Sequence, residues 1–253
     1  ANTVIIPFLK REGIKKIDVA VITHPHRDHF GGYLDLVQNF PIREFYYSCD
    51  SLNSNDGETG GGDDQLYQKL HFAIMEKGIP YVQAKIDDKL DWGKNVKVDL
   101  FHVAEPVVAT IKPRTVPGST SGNATDTLPP DLKINANNQS LIFRITAGKI
   151  SYMFTGDAEK DVEASVVAKF RDQLRATILK SGHHGSKTSS TAPFLDAIKP
   201  DYSVISVGER NSFGHPCQET LDSYTFFKIK TFRTDQDGTV DSYTDGVTVR
   251  FTS

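Results

Sequence analysis

Four side chains able to ligate a metal ion fall within six residues in the run His24-Pro25-His26-Arg27-Asp28-His29-Phe30-Gly31-Gly32. Imidazole and carboxylate together suit zinc, manganese or iron. Two histidines one residue apart project to the same side of an extended stretch, so His24 and His26 can share one position. Asp28 and His29 can then face a second, and the two glycines let the chain turn sharply beside them. A polar surface loop explains one such histidine, but a His-x-His-x-Asp-His run directly after a strand is better read as a metal site.

Two further stretches fit the same chemistry. Phe154-Thr155-Gly156-Asp157 sets a carboxylate just past a glycine at a strand end, and its two oxygens suit it to bridge two cations; helix capping is the plainer alternative. Leu179-Lys180-Ser181-Gly182-His183-His184-Gly185-Ser186-Lys187 follows the next strand. Adjacent imidazoles point apart in an extended chain, so at most one of His183 and His184 reaches the same ion, and the other is left for support or substrate.

The elements that must position these groups alternate. Apolar spacing predicts a helix over Thr3–Gly13, a buried strand over Asp18–Thr23, a helix over Tyr33–Asn39 and a strand over Phe45–Tyr47. Asn53–Asp64, rich in glycine and acidic or amide residues, reads as a surface loop, and Asp64–Lys77 as a helix stopped by Gly78. Val96–Val103 reads as a strand, and Pro106–Asn138 as an insertion or functional loop too long for an ordinary connection. Leu141–Thr146 and Ile150–Thr155 flank a hairpin turn at Ala147-Gly148. Beyond it come a helix over Asp161–Leu174, a strand over Ala176–Lys180, a helix over Pro193–Ile198, a strand over Tyr202–Val207 and a helix over Thr220–Phe227. The end from Ile229 is strand-like, with turns at Gly238 and Gly246. The alternation implies one α/β domain over residues 1–253.

The chain carries 29 basic against 32 acidic residues, a net charge of −3. A protein that binds mainly by neutralising phosphates is usually basic, so contact with nucleic acid must come from a local patch or from bound metal. Lys228–Arg233 is a second basic stretch, best read as a solvated strand face. No apolar run approaches the roughly 18 residues of a membrane-spanning helix. Cys49 and Cys217 are too few for a disulfide framework and either pair or stay free. Ala1-Asn2-Thr3-Val4 does not read as a signal peptide.

His24–Gly32, Gly156-Asp157 and His183-His184-Gly185-Ser186 together resemble the metallo-β-lactamase-fold hydrolases. More narrowly they resemble the soluble domain of the ComEC competence proteins and its stand-alone secreted relatives. That closer likeness rests on Asn138-Gln139-Ser140-Leu141, Phe154–Glu163, Leu179–Ser190, Lys199-Pro200-Asp201, Gly208–Pro216 and Arg233–Gly238. It covers most of the chain apart from the Pro106–Asn138 insertion.

The resemblance implies a four-layer αβ/βα sandwich with one or two divalent ions, zinc or manganese, at one edge of the facing sheets. Carried over by motif, His24 and His26 bind one ion, Asp28 and His29 the other, Asp157 bridges, and His183 completes the second site with His184 as its substitute. Asn211 and His215 fall in a loop expected to line the cleft.

The sequence departs from the family in two places. A third histidine usually serves the first ion from about Asn137–Ser140, whereas His71 and His102 lie elsewhere, leaving Asn138 or water. The family's opening strand pair, ending in an Asp-x-Gly turn, is not found here either: those residues are absent from this sequence or the sandwich is short by an edge hairpin. The implied reaction is attack of a metal-activated water on a phosphodiester, with Asp28 or Asp157 accepting the proton. Ser186, Lys187 and His184 would hold the phosphate, His184 or His215 would protonate the leaving oxygen, and Asn211 would touch substrate. The expected substrate is DNA, met by a monomer at the cell surface or outside the cytoplasm, in a chain that can be part of a larger membrane protein. A small ester such as a phosphocholine diester or lactone is the alternative substrate, and a non-catalytic metal- or DNA-binding domain the alternative class.

Overall fold

Short β-branched and aromatic runs form the strands, and their period-two alternation decides which layer each side chain enters. In the computed structural model, which describes residues 1–48, 61–104 and 135–253, strand β1 (Ile17–Ile22) pairs in parallel with β2 (Ile42–Tyr47). Strand β3 (Tyr81–Gln83) adds to β2, also in parallel. Ala20, Ile22, Phe45 and Tyr47 point to one side of this sheet, where they bury Leu36 and Val37 of α3 (Tyr33–Asn39) and Leu70 and Ile74 of α4 (Gly61–Glu76). Ile6 of α1 (Ile5–Arg11) closes the same core. Val21 and Tyr46, the residues between, point the other way, toward a second sheet.

That second sheet has six strands in sequence order: β4 (Val96–His102), β5 (Ile142–Ala147), β6 (Ile150–Phe154), β7 (Ile178–Lys180), β8 (Tyr202–Ile205) and β9 (Lys230–Arg233). The first two pairings are antiparallel and the last three parallel. Each parallel step needs a crossover, and α5 (Lys160–Phe170), α6 (Ala192–Ile198) and α7 (Gln218–Phe226) supply them. Met153, Leu179 and Ile205 meet Val162, Leu195 and Tyr224 of these helices in one core. Leu100, Phe143, Ile145 and Phe154 face Val21 and Tyr46 in another. Three cores between helices, sheet, sheet and helices make the expected four-layer αβ/βα sandwich. A turn of helix, α8 (Thr234–Asp237), and a hairpin of β10 (Asp241–Thr244) and β11 (Val249–Thr252) complete the chain.

Most expected elements appear within a few residues of their predicted ends; beside a helical turn at Arg27–Phe30 with no expected counterpart, three differences stand out. Strand β3 has no counterpart in the expectation, because three residues show no legible alternation. Thr234–Asp237, expected as strand, is a helical turn. Helix α4 begins at Gly61, inside the expected surface loop, whose other residues lie outside the described ones, as do Cys49 and residues 106–134 of the insertion. Cys217 is a free thiol.

The carboxyl ends of β1, β6, β7 and β8 converge on one edge, where Leu141 N–H donates to Thr23 O at 2.9 Å and ties the sheets together. Beyond β6, Gly156 holds φ +52°, and a Cβ there would stand 2.6 Å from Ser140 Oγ and 2.9 Å from Ser140 Cβ. Only glycine lets the chain turn this closely against Ser140 and deliver Asp157. Gly156→Ala is expected to lower unfolding free energy by about 1–3 kcal/mol, from the left-handed backbone and the clash together. Urea denaturation checks this, and a midpoint and slope equal to wild type would contradict it.

Candidate metal centre

The turn after β1 places His24 and then one turn of helix, α2 (Arg27–Phe30), which carries Asp28 and His29. Phe30 anchors this turn by burying its ring completely and packing edge-on against Tyr67, at 4.9 Å between centroids. Opposite stand Asp157 from the β6 end and the His183-His184 turn from the β7 end. Ligand atoms of His24, His26 and Asp157 form one group, and those of Asp28, His29, Asp157 and His184 a second; within each group they lie within 4.8 Å of one another. Asp157 belongs to both.

The spacing suits cations. Asp157 Oδ2 lies 3.6 Å from His24 Nε2, 3.2 Å from His29 Nε2 and 3.6 Å from His184 Nε2. Asp28 Oδ2 lies 2.9 Å from His184 Nε2 and 3.4 Å from His29 Nε2. Ligand atoms about 2.1 Å from one tetrahedral ion stand about 3.4 Å from each other. The protons fit as well. His184 Nδ1 donates to Ser206 O at 2.7 Å, which turns Nε2 toward Asp28 and toward His29 Nε2, 3.2 Å away, as the atom that would ligate a cation. Fixing a ligand tautomer through the far ring nitrogen is how metal sites orient imidazoles. Asp157 is 2% exposed, and its Oδ1 finds no hydrogen-bond partner among the described residues, a costly state for a buried carboxylate oxygen unless a cation meets it.

Electrostatics reinforce this. Burial, then repulsion from His29, holds His24 well below the usual imidazole range, so it is neutral. Burial disfavours the Asp157 and Asp28 carboxylates, but hydrogen bonds outweigh it and keep both ionised far below the usual range, from His29 to Asp157 and from His184 and His29 to Asp28. Burial would lower His29, yet hydrogen bonds to Asp157 and Asp28 raise it to about 9. A proton thus sits where a cation would go.

Ser140 supports the first group, accepting the Asp157 N–H at 2.9 Å while its hydroxyl meets His24 Nδ1 at 3.2 Å. It stands in the stretch expected to carry a third histidine. His102 donates to its carbonyl at 2.8 Å, and His71 packs on Tyr81 with 5.0 Å between centroids, so neither joins the cluster. Asn138, the suggested replacement, uses Oδ1 to accept the Glu159 N–H at 3.0 Å.

Of the two adjacent histidines, His184 reaches the cluster and His183 does not. The chain there is a turn rather than extended: His183 and His184 hold φ +44° and +53°, each costing roughly 1–2 kcal/mol. His183 Nδ1 meets Thr188 Oγ1 at 3.3 Å and lies 3.7 Å from Glu159 Oε1, and the ring faces an open cleft of about 890 Å³ beside His215.

Three residues expected at substrate are engaged differently. Ser186 is buried with its hydroxyl 3.0 Å from Thr188 Oγ1. Lys187 is exposed and lines neither cleft at the centre. Asn211 donates to Gly208 O and His215 O and accepts from Phe213 N–H and His215 N–H, which fills its amide's donors and lone pairs and makes it the clamp of its loop. His215 does line the cleft; burial, then His183 and His184, lower its pKa and keep it neutral.

Sequence reasoning missed the groups that hold these turns. Buried Glu163 accepts the Ser190 and Thr191 N–H groups at 2.6 and 2.8 Å. Tyr224 OH meets Ser181 Oγ at 2.7 Å and Ser190 Oγ at 2.9 Å. The density of serine and threonine over Ser181–Thr191 was the available signal.

His184→Ala is expected to weaken manganese binding at the second group by more than about 100-fold, the upper loss when an outer partner is removed, while His183→Ala stays within about threefold. Calorimetric titration checks both, and equal losses would contradict the assignment. A cation must displace the His29 proton, so affinity should rise about tenfold per pH unit from about pH 7 toward 9. A flat profile would contradict that linkage.

Comparison with known proteins follows the same lines. The family model described as the metallo-beta-lactamase superfamily matches residues 2–209. ComE operon protein 3 of Bacillus subtilis is 30% identical over 237 residues, covering 94% of this chain and 26% of that protein. Competence protein ComA of Neisseria gonorrhoeae is 27% identical over 238 residues, 94% of this chain and 27% of that one. Recombination protein 2 of Haemophilus influenzae is 24% identical over 245 residues, 95% and 24% respectively. The chain therefore spans about a quarter of the length of these relatives.

Proposed function

Because the chain belongs to the metallo-beta-lactamase superfamily, we propose that it is a metal-dependent phosphodiesterase, a nuclease acting on DNA. The observation that carries this reading is the pair of ligand groups sharing buried Asp157. His24, His26 and Asp157 would hold one cation and Asp28, His29, Asp157 and His184 a second, with manganese or zinc matching the imidazole–carboxylate set. Two cations held this way would supply an acidified water and would neutralise charge on a phosphoryl group.

The chain's own groups do the rest. Asp28, with its side chain 59% exposed and bordering both clefts, is placed to accept the proton of the attacking water. His183 and His215 stand together on the cleft wall, their ring centroids 5.4 Å apart. His183, aligned through Nδ1 by Thr188 and Glu159, would bring a proton to the leaving oxygen. The substrate class draws on the resemblance to the ComEC competence proteins and on the printed name of one relative, a competence protein, and a setting at the cell envelope is proposed with it. Among the described residues no helix is long and apolar enough to cross a membrane.

A second reading, hydrolysis of a small ester, is favoured by the net charge of −3 and by Asp35 in the cleft. Metal-stripped protein given Mn²⁺, Zn²⁺ or Mg²⁺ is expected to cut a labelled DNA oligonucleotide. The Asp28→Ala/His29→Ala double variant should lose more than about 100-fold of that rate while keeping its fold. Unchanged turnover in the variant would overturn the site. No cutting of DNA alongside hydrolysis of bis-p-nitrophenyl phosphate would transfer the assignment to a small ester, and silence on both would favour a non-catalytic binding domain.

A further inference from the structure

One large aromatic side chain beside the centre is left almost bare. Phe213 is 78% exposed, whereas Leu34, Leu66 and Val207, which line the same clefts, are half-buried. It lines the 890 Å³ cleft and also a second one of about 330 Å³, and Asp28, His184 and His215 line both. Phe213 and His215 thus form a ridge between two hollows that meet at the same ligands. Their rings lie within 19° of parallel, with centroids 6.0 Å apart, presenting an offset pair of flat faces.

The loop bearing the ridge is firmly held. Asn211 fills four hydrogen bonds inside it. At its far end Cys217 N–H donates to Gly185 O at 2.9 Å, which fastens the loop to the His183-His184 turn. Gly185 permits that approach, since a Cβ there would stand 2.7 Å from Pro216 Cβ. An exposed phenyl ring on a fixed loop costs little entropy to use, so its exposure is a prepared surface rather than a loose end.

We propose that Phe213 stacks an unpaired nucleobase next to the phosphodiester being cut, and so selects single-stranded nucleic acid over small diesters and over duplex. This rests on the phosphodiesterase reading above. A phosphate seated at Asp28 and His184 has room on both sides, each hollow lying in or near the roughly 300–1,000 Å³ range of small-molecule sites. Chain can therefore continue in both directions, which a small ester does not need. A base face offers the flat apolar partner that the ring lacks, and every base has one, so the contact adds affinity without reading sequence. In a duplex both faces are already covered by neighbouring bases, and the ring is reached only after unstacking. The exposed Arg210, three residues earlier on the same loop, supplies positive charge on that side.

The test compares wild type, Phe213→Ala and Phe213→Trp, each loaded with Mn²⁺ and matched for metal content and melting temperature. Substrates are a labelled single-stranded DNA oligonucleotide and the same oligonucleotide with abasic sites throughout. Phe213→Ala is expected to raise KM on the first by about tenfold or more, with a smaller change in kcat, and Phe213→Trp to restore it. On the abasic strand the three proteins should share one KM. Cutting by wild type with an unaltered KM in Phe213→Ala, or an equal loss on the abasic strand, would overturn the stacking role while leaving the phosphodiesterase reading intact. Failure of wild type to cut either strand or bis-p-nitrophenyl phosphate would bring down both.

Discussion

A carboxylate with 2% of its surface exposed keeps its charge only if positive charge or hydrogen-bond donors surround it. Asp157 is that carboxylate, and much of the molecule is arranged around it. Imidazoles from two chain segments converge on one of its oxygens, the other has no hydrogen-bond partner among the described residues, and its own N–H is held by Ser140. Without cations, His29 answers the charge by keeping a proton that an ordinary imidazole would lose. A cation bound there would compete with that proton for one space.

The sandwich makes this convergence possible. Parallel strands deliver their carboxyl ends to a common edge, where α/β sheets place their ligands. Here two sheets share that edge: β1 brings the histidine run, β6 the aspartate, β7 the histidine pair and β8 the carbonyl that fixes His184. The turn after β7 is conformationally expensive, with two successive left-handed histidines, whereas the turn after β6 avoids that cost by placing a glycine at its left-handed position. Such strain persists where the surroundings over-determine it. The hydroxyls of Ser181, Ser189 and Ser190, together with Tyr224 and Glu163, do so by hydrogen bonds that leave the turn little freedom.

The sequence made the strand–helix alternation and the first ligand run legible because both are local patterns: period two, period 3.6 and four ligand-type residues within six. Asp157 was also legible, since a glycine before a carboxylate at a strand end is a local feature. The choice between His183 and His184 was not, because it depends on backbone angles that only the surrounding turn dictates; an argument from an extended chain left both open. Ser186 and Asn211 looked like substrate contacts because polar residues near a site attract that reading. Their hydrogen-bonding capacity is instead used on neighbouring loop atoms, which only three-dimensional partners reveal. Phe213 was invisible for the opposite reason: within Asn-Ser-Phe-Gly-His a phenylalanine reads as core until its exposure is seen.

The central claim is that Asp157 is shared by two cations, one with His24 and His26 and one with Asp28, His29 and His184. The most direct measurement is X-ray diffraction from crystals of the Mn²⁺-loaded protein at a wavelength where manganese scatters anomalously. The account predicts two anomalous peaks about 3.5–4 Å apart on either side of Asp157, with His184 rather than His183 against the second. A single peak, or a peak coordinated by His183, would contradict it.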